Sequence, residues 1–173
     1  MLFRSGHINL LVIDKHGHVQ GPGGTIDTEL DNGWAIWHEP DTPPRVVLVS
    51  VGDLAATQIT TTRGQLDVPA RHVHVHEPAV LGDQDRWPQA IPPVQWARVF
   101  PPEVPMLVVT TGQPAALWPL LGPRGHRGLV DIRGWREPAA PLPDTELLRW
   151  SEMDTTALIS AARRAARTAQ EVR

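Results

Sequence analysis

Apolar positions in this chain fall into short β-branched runs, separated by proline and glycine, until about residue 143, where the spacing changes. Residues 8–14, 34–38, 45–51, 106–111 and 129–133 are runs of this kind and read as strands. Residues 58–62 and 65–68 flank Arg63-Gly64 and predict a hairpin. Residues 71–76 alternate strictly between polar and apolar, and residues 94–100 read as a further strand. Residues 78–93 hold four prolines and read as a long surface loop. Pro114 opens a short helix over 115–121, at a position where its missing N–H costs nothing.

Beyond the proline-rich joint at 138–143 the period becomes 3.6. Asp144 is the expected N-cap of a helix over 145–150, and Asp154 that of a helix over 155–172. On the second helix Leu158, Ala161, Ala162, Ala165, Ala169 and Val172 share one face, with Arg163, Arg164 and Arg167 opposite.

Together these elements predict an α+β fold. A mainly antiparallel, curled sheet of about seven to nine strands occupies residues 7–133, interrupted by one short helix, and a C-terminal helical pair packs on it. The chain is expected to be a single domain over 1–173, mainly β through 137 and helical over 138–173. The expected core is Leu10, Val12, Val47, Val49, Val73, Val75, Val108, Val130, Ile132 and Leu158.

Composition removes several classes of chemistry. There is no cysteine, which excludes disulfides, zinc–thiolate sites, iron–sulfur clusters and a cysteine nucleophile. Lys15 is the one lysine, and it sits in a turn sequence. It serves neither a Walker A loop nor a Schiff base. There is no tyrosine, and no serine lies in a G-x-S-x-G context. The net charge is −3 with no basic tract, so no nucleic-acid partner is expected. No apolar run approaches the roughly twenty residues of a membrane span, and the expected location is cytoplasmic.

One constellation carries chemical content. In His72-Val73-His74-Val75-His76 a strand period of two puts all three imidazoles on one face and both valines on the other. Two such histidines can converge on a divalent ion such as zinc, which makes His72, His74 and His76 the candidate metal ligands. Further ligands would come from elsewhere, with Glu77, His38, His126 or an aspartate available and nothing in the sequence selecting one. The bland alternative is a half-exposed strand with its valines in the core and its histidines in water. Strand-borne metal patterns do not fit. A cupin places glutamate four or five positions after its H-x-H, where this chain has Pro78 and Ala79, or Val80 and Leu81.

Three functions are therefore carried forward. The first is a non-catalytic protein-interaction protein of accessory, adaptor or inhibitor type, acting through a protein partner or as a homo-oligomer. The second is a small metal-dependent enzyme built on the histidine strand. The third is a small-ligand binder using the interior of the curled sheet.

Overall fold

A computed structural model describes residues 31–124, 126 and 129–171. Five strands form one sheet: β1 (Trp34–His38), β2 (Val46–Val51), β3 (Ala70–Val75), β4 (Met106–Thr110) and β5 (Val130–Arg133). Their order is β1-β3-β2-β4-β5. β1 runs antiparallel to β3, and the other three pairings are parallel. The expected antiparallel, curled sheet of seven to nine strands is thus corrected to a five-stranded mixed sheet. The expected strand over 8–14, with Leu10 and Val12, lies outside the described residues.

The error has a physical source. Parallel strands are covered on both faces and read as continuous apolar runs, as in Val-Val-Leu-Val-Ser-Val of β2 and Met-Leu-Val-Val-Thr of β4. Each parallel neighbour also needs a crossover, and that is where two expected strands become helices. α1 (Asp53–Gly64) replaces the expected hairpin over 58–68. Its buried residues Ala55, Ala56, Ile59 and Thr62 follow a helical spacing, which overrides the β preference of the Ile-Thr-Thr-Thr run. α2 (Pro93–Val99) replaces the expected strand over 94–100. It starts on Pro93 and buries Trp96, Val99 and, just past its end, Phe100.

α3 (Trp118–Leu121) follows a 3₁₀ turn at Pro114–Ala116, where a short helix was expected. α4 (Asp144–Trp150) and α5 (Thr155–Glu171) form the C-terminal pair. Leu158, Ala161, Ala162, Ala165 and Ala166 of α5 are buried. The stretch expected as a surface loop at 78–93 instead contributes a 3₁₀ turn at Pro78–Leu81 and buries Val80, Leu81 and Ile91. Arg124 pins it. Its guanidinium donates to the carbonyls of Val80, Leu81 and Ile91 and lies 4.4 Å from the Trp96 ring centroid.

Two cores result, one on each face of the sheet. Val47, Val49, Val73, Val75, Met106 and Val108 pack with Leu81, Ile91, Trp96, Phe100 and Leu120, and Val130 and Ile132 pack against them partly buried. On the other face Val46, Leu48, Ala70, Leu107 and Val109 pack with Ala55 and Ile59 of α1 and Leu158, Ala161 and Ala162 of α5. Strand order reverses between β2 and β4, as in doubly wound α/β sheets.

Candidate functional site

The register of β2 against β3 builds the site. Leu48 lies beside His72, and Ser50 beside His74. In parallel neighbours, adjacent residues share a face, so Ser50 lies on the same side of the sheet as both imidazoles. The Ser50 Oγ is 2.8 Å from His72 Nε2 and 2.9 Å from His74 Nδ1. A hydroxyl has one proton. It donates to one ring and accepts from an N–H of the other, which fixes complementary tautomers. His74 Nε2 is buried with no hydrogen-bond partner among the described residues. A bare ring nitrogen is cheaper to leave unpaired than an N–H. The favoured arrangement therefore has His74 Nδ1–H donating to Ser50, and the Ser50 hydroxyl donating to His72 Nε2.

β1 closes this face from the side. Trp37 stacks on His74 at 4.1 Å between centroids and meets His72 edge-on at 5.5 Å. Trp34, three residues earlier, packs on the opposite core, as the strand period requires. His38 pairs in register with His72 across a bulge between Ile36 and His38.

The sequence placed the histidines on one face correctly, but the expected solvent-facing edge strand is corrected. β3 is an interior strand, with Ser50 and His74 at 0% exposure and His72 at 1%. Of the three, His76 alone is exposed. It meets His74 edge-on at 4.3 Å. Burial, reinforced by repulsion from His74, Arg63 and His38, pushes the His72 pKa down to about 3. Burial and then His76 push His74 down to about 4, against the opposing pull of Asp53 and hydrogen bonding at Ser50. Both rings are neutral at neutral pH and locked to one serine.

Two of the other ligand candidates make contacts away from the histidine strand, although His126 keeps a buried Nδ1 with no hydrogen-bond partner among the described residues. Glu77 accepts from the Ala79 N–H as the cap of its 3₁₀ turn. His126 Nε2 lies 2.8 Å from the Val104 carbonyl. Among the described residues, no group of three or more His, Asp and Glu is disposed to hold a metal ion. The role of Ser50 was not visible in the sequence, because only the β2–β3 register brings it to the histidines.

The crest of the sheet, where such folds receive ligands, is largely filled by the chain itself. A Cβ on Gly134 would collide with the Gly112 carbonyl oxygen and lie 2.9 Å from Thr110 Cγ2. Gly134 is thus required by a close approach of β5's exit to β4's exit. The Trp135 N–H donates to the Gly112 carbonyl and seals that junction. A shallow cleft of about 330 Å³ opens further along the same end, between Trp34, Glu77, Val80, Gln89, Ile91 and Gln95.

No protein-family model matches the chain, and no curated protein matches it in sequence. Solved structures do match in fold. Transketolase from Leishmania mexicana is similar over 87% of this chain and 20% of its own, at 17% identity and a TM-score of 0.60. Transketolase from Pichia stipitis, in complex with xylulose-5-phosphate, is similar over 88% and 20%, at 16% identity and a TM-score of 0.60. A split-gene transketolase described as an inactive β4 tetramer is similar over 78% and 42%, at 14% identity and a TM-score of 0.53. The chain spans about a fifth of the length of the first two. It shares a fold with part of the transketolase polypeptide.

Proposed function

We propose that this chain is a non-catalytic protein-interaction module of the cytoplasm, an accessory or adaptor-type protein that works bound to a protein partner or to another copy of itself. One observation carries the reading. Among the described residues, the constellation with chemical content, Ser50 with His72 and His74, is sealed in the core, so no substrate reaches it. The tetrameric state of the split-gene neighbour supports the same direction. No helix among the described residues is long and apolar enough to cross a membrane.

A five-stranded sheet with a packed core on each face offers no curled interior for a ligand. A metal-dependent enzyme would need His72 and His74 to exchange Ser50 for an ion.

The test has two parts. The purified chain, free of any affinity tag, is assayed for turnover of xylulose-5-phosphate and analysed for bound metal. The expected result is no turnover and no stoichiometric metal. Turnover by the chain alone, or stoichiometric zinc that is lost in a His74→Ala variant, would overturn the reading.

A further inference from the structure

The two edges of the sheet are not alike. β1 is blunted by its bulge between Ile36 and His38 and is followed by Pro40. β5 carries no bulge and no proline, and among the described residues it pairs with β4 alone. All four of its residues are half-buried, and Leu129 just before it is 53% exposed.

The direction of its main-chain groups that are unpaired among the described residues follows from one bond. The Met106 N–H donates to the Leu129 carbonyl at 2.8 Å. In a parallel ladder the sides alternate, so Leu129, Asp131 and Arg133 turn their N–H and C=O groups toward β4, while Val130 and Ile132 turn theirs outward. Asp131 pairs in register with Leu107 and Arg133 with Val109, which places both charged side chains on the α1 and α5 side of the sheet. They already bond each other, with Arg133 Nε and Nη2 each donating to the Asp131 carboxylate at 2.9 Å, and Arg133 also pairs with Glu152.

We propose that this edge docks a second copy of the chain, with the two β5 strands antiparallel about a two-fold axis at Ile132. The proposal rests on the interaction reading above and names its partner. Charge selects the register. An axis at Asp131 sets that carboxylate against its own copy, and an axis at Arg133 does the same for the guanidinium; like charges directly opposite are unfavourable. An axis at Ile132 sets Asp131 opposite the partner's Arg133, and Arg133 opposite the partner's Asp131. These fall at non-hydrogen-bonded positions, where facing side chains are closest. The two Ile132 residues, whose main-chain groups point outward, then exchange both backbone bonds. The two sheets then join edge to edge through an isologous contact. The same charges turn away an apolar foreign strand, which would leave Asp131 and Arg133 desolvated without new partners.

The complementarity supplies its own test by sedimentation of the full chain. The wild type is expected to dimerise. Asp131→Arg puts arginine opposite arginine, Arg133→Asp puts aspartate opposite aspartate, and each alone is expected to weaken the dimer at least tenfold. An equimolar mixture of the two variants restores both opposite-charge pairs and is expected to recover the dimer. Because Arg133 also holds Glu152, an independent probe is Ile132→Cys in the otherwise cysteine-free chain. Facing Cα atoms about 5.5 Å apart at that position suit a disulfide, and oxidation is expected to yield a covalent dimer. A monomeric wild type, single variants that dimerise unchanged, a mixture that stays monomeric, or no cross-link at residue 132 would each overturn the inference. A monomer would still leave the interaction reading standing, since that reading fails on turnover or bound metal.

Discussion

The two faces of β3 bury side chains of opposite character to a similar depth. Val73 and Val75 enter a core of valines, Trp96 and Phe100. His72 and His74, one residue out of phase, enter a face otherwise lined by Leu48, Leu107 and the alanines of α1 and α5. The apolar face is held by area and close packing. The other face also packs an apolar core, but its two imidazoles are accommodated there because Ser50 satisfies both rings at once. A buried polar pair is tolerated when its hydrogen bonds are made and costs free energy when they are not. One face should therefore respond to loss of volume and the other to loss of a proton donor or to acid.

Volume should matter most on the valine face. Phe100 is fully buried and stacks on Trp96 at 4.3 Å. Phe100→Ala is expected to cost about 3–5 kcal/mol, read as a shift of the urea midpoint with little change in slope. An effect below about 1 kcal/mol would mean that this face is not close-packed.

Acid should act on the other face. His72 and His74 stay neutral in the folded chain until pH falls to about 3 and about 4, whereas unfolded histidine protonates near 6.5. The unfolded chain therefore binds more protons through this window. Stability is complete above pH 6.5 and falls as pH drops from there toward 4 and then 3. Between pH 7 and 5 the loss should be about 2 kcal/mol per histidine, and a His72→Gln variant should show a shallower pH slope than the wild type. A pH-independent urea midpoint across that range would contradict the buried, neutral pair.

Removing the bridge isolates the hydrogen bonds from the charge. Ser50→Ala leaves both facing ring nitrogens unpaired in the core and is expected to cost about 1–3 kcal/mol. Imidazole ¹⁵N shifts should also lose the fixed tautomers that the shared hydroxyl imposes. Unchanged shifts would show that the serine does not set them. The smallest effect is expected at Val94, which is 80% exposed on α2 and serves neither face. Val94→Ser should stay within about 0.5 kcal/mol in thermal unfolding, and a larger loss would mean that Val94 is covered.

Local chemistry determined a good deal of this molecule from sequence alone. The β-branched runs now seen as β2, β4 and β5 and the alternating run of β3 were legible as strands, as were the two C-terminal helices. Each of these signals lies within one element, as a side-chain period or a proline where no N–H is needed; the expected cap at Asp144 is corrected, since α4 is preceded by Pro143 and Asp144 sits in its first turn. The His72-Val73-His74-Val75-His76 alternation correctly put the valines on one face and the histidines on the other. Tertiary structure alone decided what those faces meet. Strand direction is set by crossovers of about twenty residues or more, so parallel order and the helical state of α1 and α2 had no local signature. Ser50 reaches its histidines across 22 and 24 residues of sequence, through a register that neither strand specifies by itself. A histidine strand at a sheet's edge would lie half in water, whereas this one lies between β1 and β2 with helices over its polar face. Only that position decides whether its imidazoles are ligands, sensors or part of the core.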